Sequence, residues 1–173
     1  STILSVPTAT LGQVMIPRGY ISADIERCGH TFRVITAPLE SFEEQLGLPF
    51  SFFRFAQALE LLQEPANSSL PIVLAGDLNA NAEDPSDPTY QLLLGSGLSD
   101  AWTTVSPQRA GLTWPLFVEN PFIDTAPTQR LDLVLTRGAV EAQKADLVGE
   151  RDVTSQLPIP SDHAGLVVTF KLQ

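Results

Sequence analysis

The sequence has one cysteine, Cys28, so no disulfide can close within the chain and cysteine usage leaves the compartment open. Histidine is scarce too, with only His30 and His163. Positive charge is short: 10 Lys and Arg stand against 20 Asp and Glu, a formal net charge of −10. That balance argues against loose, purely electrostatic binding to nucleic acid or anionic membrane. It does not exclude an enzyme that grips one phosphate through a metal ion. No apolar run approaches the length of a transmembrane segment, and no signal peptide, internal repeat or low-complexity stretch is visible. The chain starts at Ser1 and its one methionine is Met15. The start reads either as a removed initiator methionine or as a chain with residues missing upstream. What remains is 173 residues, 43% of them hydrophobic, enough for a single domain, 1–173, with a real core.

Periodicity gives a coarse map. Thr2 to Val6 reads as a strand inside a Thr-rich start. Tyr20 to Arg27 alternates as a half-buried strand does, and Thr31 to Thr36 returns after a Cys28-Gly29-His30 turn. Pro38 ends that hairpin, since proline cannot donate to a central ladder. Ser41 and Glu44 have capping-box spacing. A firmer helix follows, with Phe52, Phe55, Ala56, Leu59 and Leu62 on one face, stopping before Pro65. Asp87 caps a short helix that has Pro88 at its first position and Gly95 past its end. Residues 110–129 read as a proline-rich surface loop carrying Thr113 and Trp114. Leu131 to Leu135 reads as a buried strand, 139–148 as a strand or irregular edge, and Leu166 to Leu172 as a closing strand. Strands interleaved with two or three helices predict an α/β (α+β) domain with layered sheets.

The stretch Pro71 to Ala82, PIVLAGDLNANA, organises this map. Ile72 to Ala75 is a short apolar run, followed by Gly76-Asp77-Leu78-Asn79. In extended chain, residues i and i+2 share a side, which would send Asp77 and Asn79 outward together and Leu78 inward. A carboxylate beside a carboxamide can take a proton, bind a hard cation and donate to an oxyanion. The plainer reading of Asp and Asn after a strand is an ordinary turn. An EF-hand loop fails, because position six is Ala82 and position twelve is Pro88.

Two further polar stretches decide between these readings. Asp132 lies between Leu131 and Leu133, and an unpaired buried carboxylate is costly, so it needs a partner. Asp162-His163 supplies a candidate. An Asp–His pair fixes the imidazole tautomer and favours its charged form, which suits a base or a phosphate-binding cation. A lone His is more often structural, and Ser161-Asp162 alone is a turn or cap. The expectation is a direct Asp132–His163 hydrogen bond, with Asp77, Asn79, Asp162 and His163 at one end of the sheet.

Taken together, Gly76-Asp77-Leu78-Asn79, Arg130-Leu131-Asp132-Leu133-Val134-Leu135 and Ser161-Asp162-His163 resemble, in order and spacing, the C-terminal signature of the endonuclease/exonuclease/phosphatase superfamily. Arg18-Gly19-Tyr20, Thr89-Tyr90-Gln91, Asp100-Ala101-Trp102, Gly111-Leu112-Thr113-Trp114 and Pro160 to Gly165 resemble its secreted bacterial branch, which implies a secreted location. The resemblance implies the C-terminal part of a four-layer, deoxyribonuclease I-like sandwich. It implies a phosphoesterase dependent on Mg²⁺ or Mn²⁺. The substrate would be a phosphoester: nucleic acid, phospholipid or small phosphate ester. Asp77 would orient or deprotonate water, Asn79 would bind a non-bridging phosphate oxygen, and Asp162 would contribute to the metal site. His163, held by Asp132, would contact the phosphate or move a proton.

Two departures from the family pattern shape the expectations. The upstream half that supplies an Asn and a metal-binding Glu is absent. Leu62-Gln63-Glu64 has the right letters in the wrong place, and its helical context makes it a coincidence. Where the hairpin's return strand would end in T-H-L, this chain has Thr36-Ala37-Pro38-Leu39, with Pro38 at the family His. These departures predict poor or no hydrolysis by the isolated chain and, if a half is missing, an exposed apolar patch on one sheet. The alternative is a catalytically inert relative serving as a binding or interaction module. A Ser–His–Asp hydrolase is a distant third: Ser161 adjoins His163, but nothing resembles a nucleophile elbow.

Overall fold

A computed structural model describes residues 3–8, 12–41, 50–117, 119, 125–149 and 160–173. The helix start expected at Ser41 to Glu44 and the segment 157–159 lie wholly or partly outside the described residues. Strands β1 (Ile3–Thr8) and β2 (Gly12–Pro17) pair antiparallel. The sequence pattern gave only the first of these.

β3 (Ile21–Arg27) and β4 (His30–Thr36) form the expected hairpin. Cys28 and Gly29 both have positive φ, 53° and 79°, which gives the two-residue turn whose twist matches the strands. β3 is not half-buried, however. Every residue in it is exposed, with Ile21 at 71% and Ile25 at 39%, and it forms the edge of its sheet. That sheet runs β3-β4-β5-β7-β6 and includes β5 (Ile72–Asp77), β6 (Ser99–Asp100) and β7 (Asp132–Arg137). β4 and β5 are parallel, as a β-α-β unit requires, and the intervening helix is α1 (Phe50–Gln63). β7 pairs antiparallel with both β5 and β6.

The burial of α1 corrects the expected face. Phe52 is 66% exposed and Leu59 38%, while Gln57, Ala58 and Leu61 are buried. The helix packs on its small residue, Ala58, which allows close approach to the sheet. Gln57 enters because its side-chain oxygen accepts the Glu40 backbone N–H at 2.8 Å. α2 (Pro88–Gly95) starts as the sequence dictates, with Asp87 accepting the Thr89 and Tyr90 backbone N–H groups. Asp100 caps α3 (Ala101–Val105) in the same way.

The central strand is apolar on both sides because both faces are covered. Ile35, Ile72, Leu74, Leu133 and Leu135 pack with Ala58 and Leu61 of α1 and with Tyr90 and Leu93 of α2. Val73 and Val134 point the other way, onto Val140, Ala142, Leu166, Val168 and Phe170 of β8 (Val140–Val148) and β9 (Gly165–Leu172). Each fully buried Leu or Ile contributes about 1.5–3 kcal/mol of transfer free energy. β8 and β9 pair antiparallel with a bulge between Ala142 and Lys144, so the doubtful segment is a true strand. Val148 and Val167 are about half exposed there, at 49% and 51%. The mixed α/β layering is that expected from the sequence. No helix among the described residues is long and apolar enough to cross a membrane.

Candidate active site

The site forms where β5 and β7 end together. Their register places Asp77 directly opposite Asp132. Gly76 is needed beside them, because a Cβ there would sit 2.3 Å from the carbonyl oxygen of Ala37, just past the end of β4. The same crowding lets residues 37–39 pass close to the end of β5, where the Leu39 N–H donates to the Asp77 carbonyl at 3.0 Å.

The chain is not extended through Asn79, as the i, i+2 argument assumed. Asn79 has φ 48°, the left-handed region. Its backbone N–H returns to Asp77 Oδ1 at 3.2 Å, and its amide donates to the Leu39 carbonyl at 3.1 Å. The turn reading holds: the backbone of Asn79 closes on Asp77, and its side-chain amide is tied to Leu39 beside it. Leu78 is fully buried.

Asp132 is the first residue of β7 and half-buried, not a carboxylate sealed inside an apolar run. Its Oδ2 lies 2.8 Å from His163 Nδ1. One ligand-type atom each from Asp77, Asp132 and His163 lie within 4.8 Å of one another. Asp162 stands beside this group, with its Oδ2 accepting the Trp114 indole N–H at 3.2 Å, and the Trp114 ring lies 6.3 Å from the His163 ring. Of the residues singled out in the sequence, Asp77, Asp132 and His163 thus converge directly, Asn79 bears on Asp77, and Asp162 adjoins. Glu64 instead accepts the Tyr20 hydroxyl at 2.8 Å, away from the group. Pro38 is exposed and lines a shallow cleft together with Arg18, Tyr20, Leu39 and Gln57.

Charge in the group is unevenly held. Burial, and next the facing Asp132 carboxylate, push the Asp77 carboxyl above its ordinary range, while His163 and the Asn79 donors pull the other way. The hydrogen bond to Asp132 holds His163 above the usual imidazole value. Burial opposes it, and the charges of Asp132, Asp77 and Asp162 add to it. The surrounding carboxylates thus shift His163 towards its charged form, with Nδ1 facing Asp132.

Residues that sequence reasoning passed over hold this arrangement. Arg130 is 1% exposed and donates to Asp100 at 2.5 Å and Glu83 at 3.2 Å. Asp100 also accepts the Tyr90 hydroxyl at 2.8 Å. Arg130 was visible only as the letter before Leu131-Asp132. Thr113, placed by the sequence in a surface loop, is fully buried, and Trp114 bridges to Gln129. Asp77, Asp132 and His163 offer two carboxylates and an imidazole, oxygen and nitrogen donors close enough together to hold a metal ion.

Residues 26–163 match the model of the Endonuclease/Exonuclease/phosphatase family. No curated protein matches the chain in sequence. Among solved structures, D. rerio TDP2 complexed with a single-strand DNA product is similar at 20% identity and a TM-score of 0.63, covering 98% of this chain and 66% of that one. The human Nocturnin catalytic domain with a bound sulfate anion is similar at 22% identity and a TM-score of 0.63, covering 100% and 59%. A Bacteroides thetaiotaomicron mannosyl-6-phosphatase is similar at 17% identity and a TM-score of 0.54, covering 84% and 53%. At these identities the likeness establishes the fold, and the chain spans two thirds or less of each. By the family match and the shared fold, this chain belongs to the endonuclease/exonuclease/phosphatase family.

Proposed function

We propose that this chain carries the chemistry of a divalent-metal-dependent phosphoester hydrolase acting on a phosphodiester or phosphomonoester. The observation that supports it most is the convergence of Asp77, Asp132 and His163 at one end of the sheet. Asp77, with its raised proton affinity, is the group that orients and deprotonates an attacking water. Asn79, tethered through Leu39, offers its amide to a non-bridging phosphate oxygen. His163, kept charged by Asp132, donates to the phosphate or returns a proton. Asp162, with its carboxylate steadied by Trp114, is the residue we assign to a Mg²⁺ or Mn²⁺ site. The cation would neutralise charge on the phosphoryl group.

The test is hydrolysis of bis(p-nitrophenyl) phosphate and p-nitrophenyl phosphate with Mg²⁺ or Mn²⁺, against the same reactions in EDTA. Slow, metal-dependent turnover is expected. Turnover indifferent to EDTA would overturn the metal assignment. Rate is held down by the small carboxylate set and by Pro38, which can neither donate a hydrogen bond nor carry charge. Register aligns Thr36 with Ala75, which puts Pro38 level with Asp77.

Pro38 also favours a second reading, an inert relative that binds without hydrolysing. Pro38→His separates the two. A rise in rate of up to ~10²–10³, the scale for one transition-state donor, supports the enzyme. No turnover of either ester, with or without this change, supports the binding module.

A further inference from the structure

Thr113 lies outside every group of residues considered above as reactive, yet it touches both halves of the site. Its side chain is fully buried. Its Oγ1 accepts the backbone N–H of Leu131 at 3.1 Å and of Asp132 at 3.3 Å. Its carbonyl accepts the Ala164 N–H at 2.8 Å, one residue beyond His163. The same segment continues the clamp. The Leu116 N–H donates to the Asp162 carbonyl at 2.8 Å, and the Trp114 indole donates to the Asp162 carboxylate. Asp132 and His163 are 31 residues apart and sit on separate pieces of chain. Besides their own hydrogen bond and the packing of Val134 on β9, the segment from Thr113 to Leu116 ties the two pieces together.

The hydroxyl cannot be replaced by its apolar isostere without consequence. Valine keeps the shape but offers no acceptor, which leaves two backbone N–H groups unsatisfied at the start of β7. The strand would then be free to shift at the residue that orients the imidazole.

We propose that Thr113 is a positioning residue, whose buried hydroxyl sets Asp132 at the distance where it captures His163. The proposal deepens the hydrolase reading but stands on geometry that is independent of turnover.

The experiment uses this chain with Thr113→Val and Thr113→Ser. The first readout is the downfield His163 ring N–H proton signal, diagnostic of the bond to Asp132. The second is amide hydrogen exchange at Leu131 and Asp132. Thr113→Ser keeps the hydroxyl and should keep both the signal and the slow exchange. Thr113→Val should lose the signal and expose both amides, with far-ultraviolet circular dichroism unchanged. Where turnover is measurable, Thr113→Val should lower it about 10–100-fold, the range for groups that orient a site's ligands, and Thr113→Ser should restore most of it.

An unchanged ring signal in Thr113→Val overturns the proposal. So does an equal loss in Thr113→Ser, which would assign the effect to the methyl group. Should Thr113→Val not fold, the unsubstituted chain decides. Exchange at Leu131 and Asp132 as slow as inside β7 supports the proposal, and exchange as fast as at an open strand end refutes it. Absent turnover in every variant, with the predicted proton pattern intact, would refute the hydrolase reading and leave the role of Thr113 standing.

Discussion

Asp77 and Asp132 face each other across β5 and β7, two carboxylates brought together by strand register. Like charges directly opposite on a sheet destabilise it, and burial adds to the cost. The strain falls on Asp77, whose proton affinity rises. His163 relieves it from one side through its bond to Asp132. The fold therefore keeps two carboxylates close together at this sheet end, one of them with a raised proton affinity.

That relationship predicts a gain from damage. Asp77→Asn removes one of the facing charges and keeps an oxygen to accept the Asn79 N–H. It should stabilise the fold by about 0.5–2 kcal/mol, the scale typical of relieving an active-site conflict. Urea unfolding at neutral pH checks this. A loss of stability would mean that the carboxylate is held in place by its local hydrogen bonds, with no net conflict.

Arg130 should behave in the opposite way. It and Asp100 are each 1% exposed at the side chain. Breaking a buried pair leaves an uncompensated charge, at a cost of about 3–5 kcal/mol. Arg130→Met should destabilise on that scale, and the double variant with Asp100→Asn should recover part of the loss. Additive losses in the double variant would show that the two groups do not depend on each other.

Tyr90 gives a prediction in alkali. Burial first, and then the charge of Asp100, push its phenol from the ordinary 10.0 up to about 12. The folded state thus holds the proton more tightly than the unfolded state. The resulting stability is fully present below about pH 10 and is lost as pH rises towards 12. The chain has two tyrosines, and ultraviolet titration of phenolate should show one ionising late, together with unfolding. Tyr90→Phe should remove the late step. Both phenols ionising early in folded protein would contradict the burial of Tyr90 against Asp100.

Much of this was legible in the sequence where local chemistry decides the outcome. The Asp87-Pro88 helix start, the hairpin at Cys28-Gly29 and the inward Leu78 each follow from one or two residues. The Asp–His partnership was legible because a carboxylate in an apolar strand needs an explanation. What was not legible depends on tertiary packing. The buried face of α1 is set by where the sheet lies, so Phe52 stays out while Gln57 goes in to meet the Glu40 backbone. The all-exposed β3 depends on what covers the sheet faces around it, which no alternation pattern reveals. Asn79 left extended geometry because a turn closed on Asp77. Thr113 looked like a loop residue because its partners are backbone groups 18 and 19 residues away.

The measurement that bears most directly on the central claim compares turnover of bis(p-nitrophenyl) phosphate, in Mg²⁺ or Mn²⁺, by the unsubstituted chain and by Asp77→Asn. The substitution is expected to leave a folded and more stable protein, so any loss of rate belongs to the chemistry. The account predicts slow metal-dependent turnover in the first and none above background in the second. Equal turnover in both would show that hydrolysis does not pass through the carboxylate facing Asp132, and the site described here would not be the hydrolytic centre.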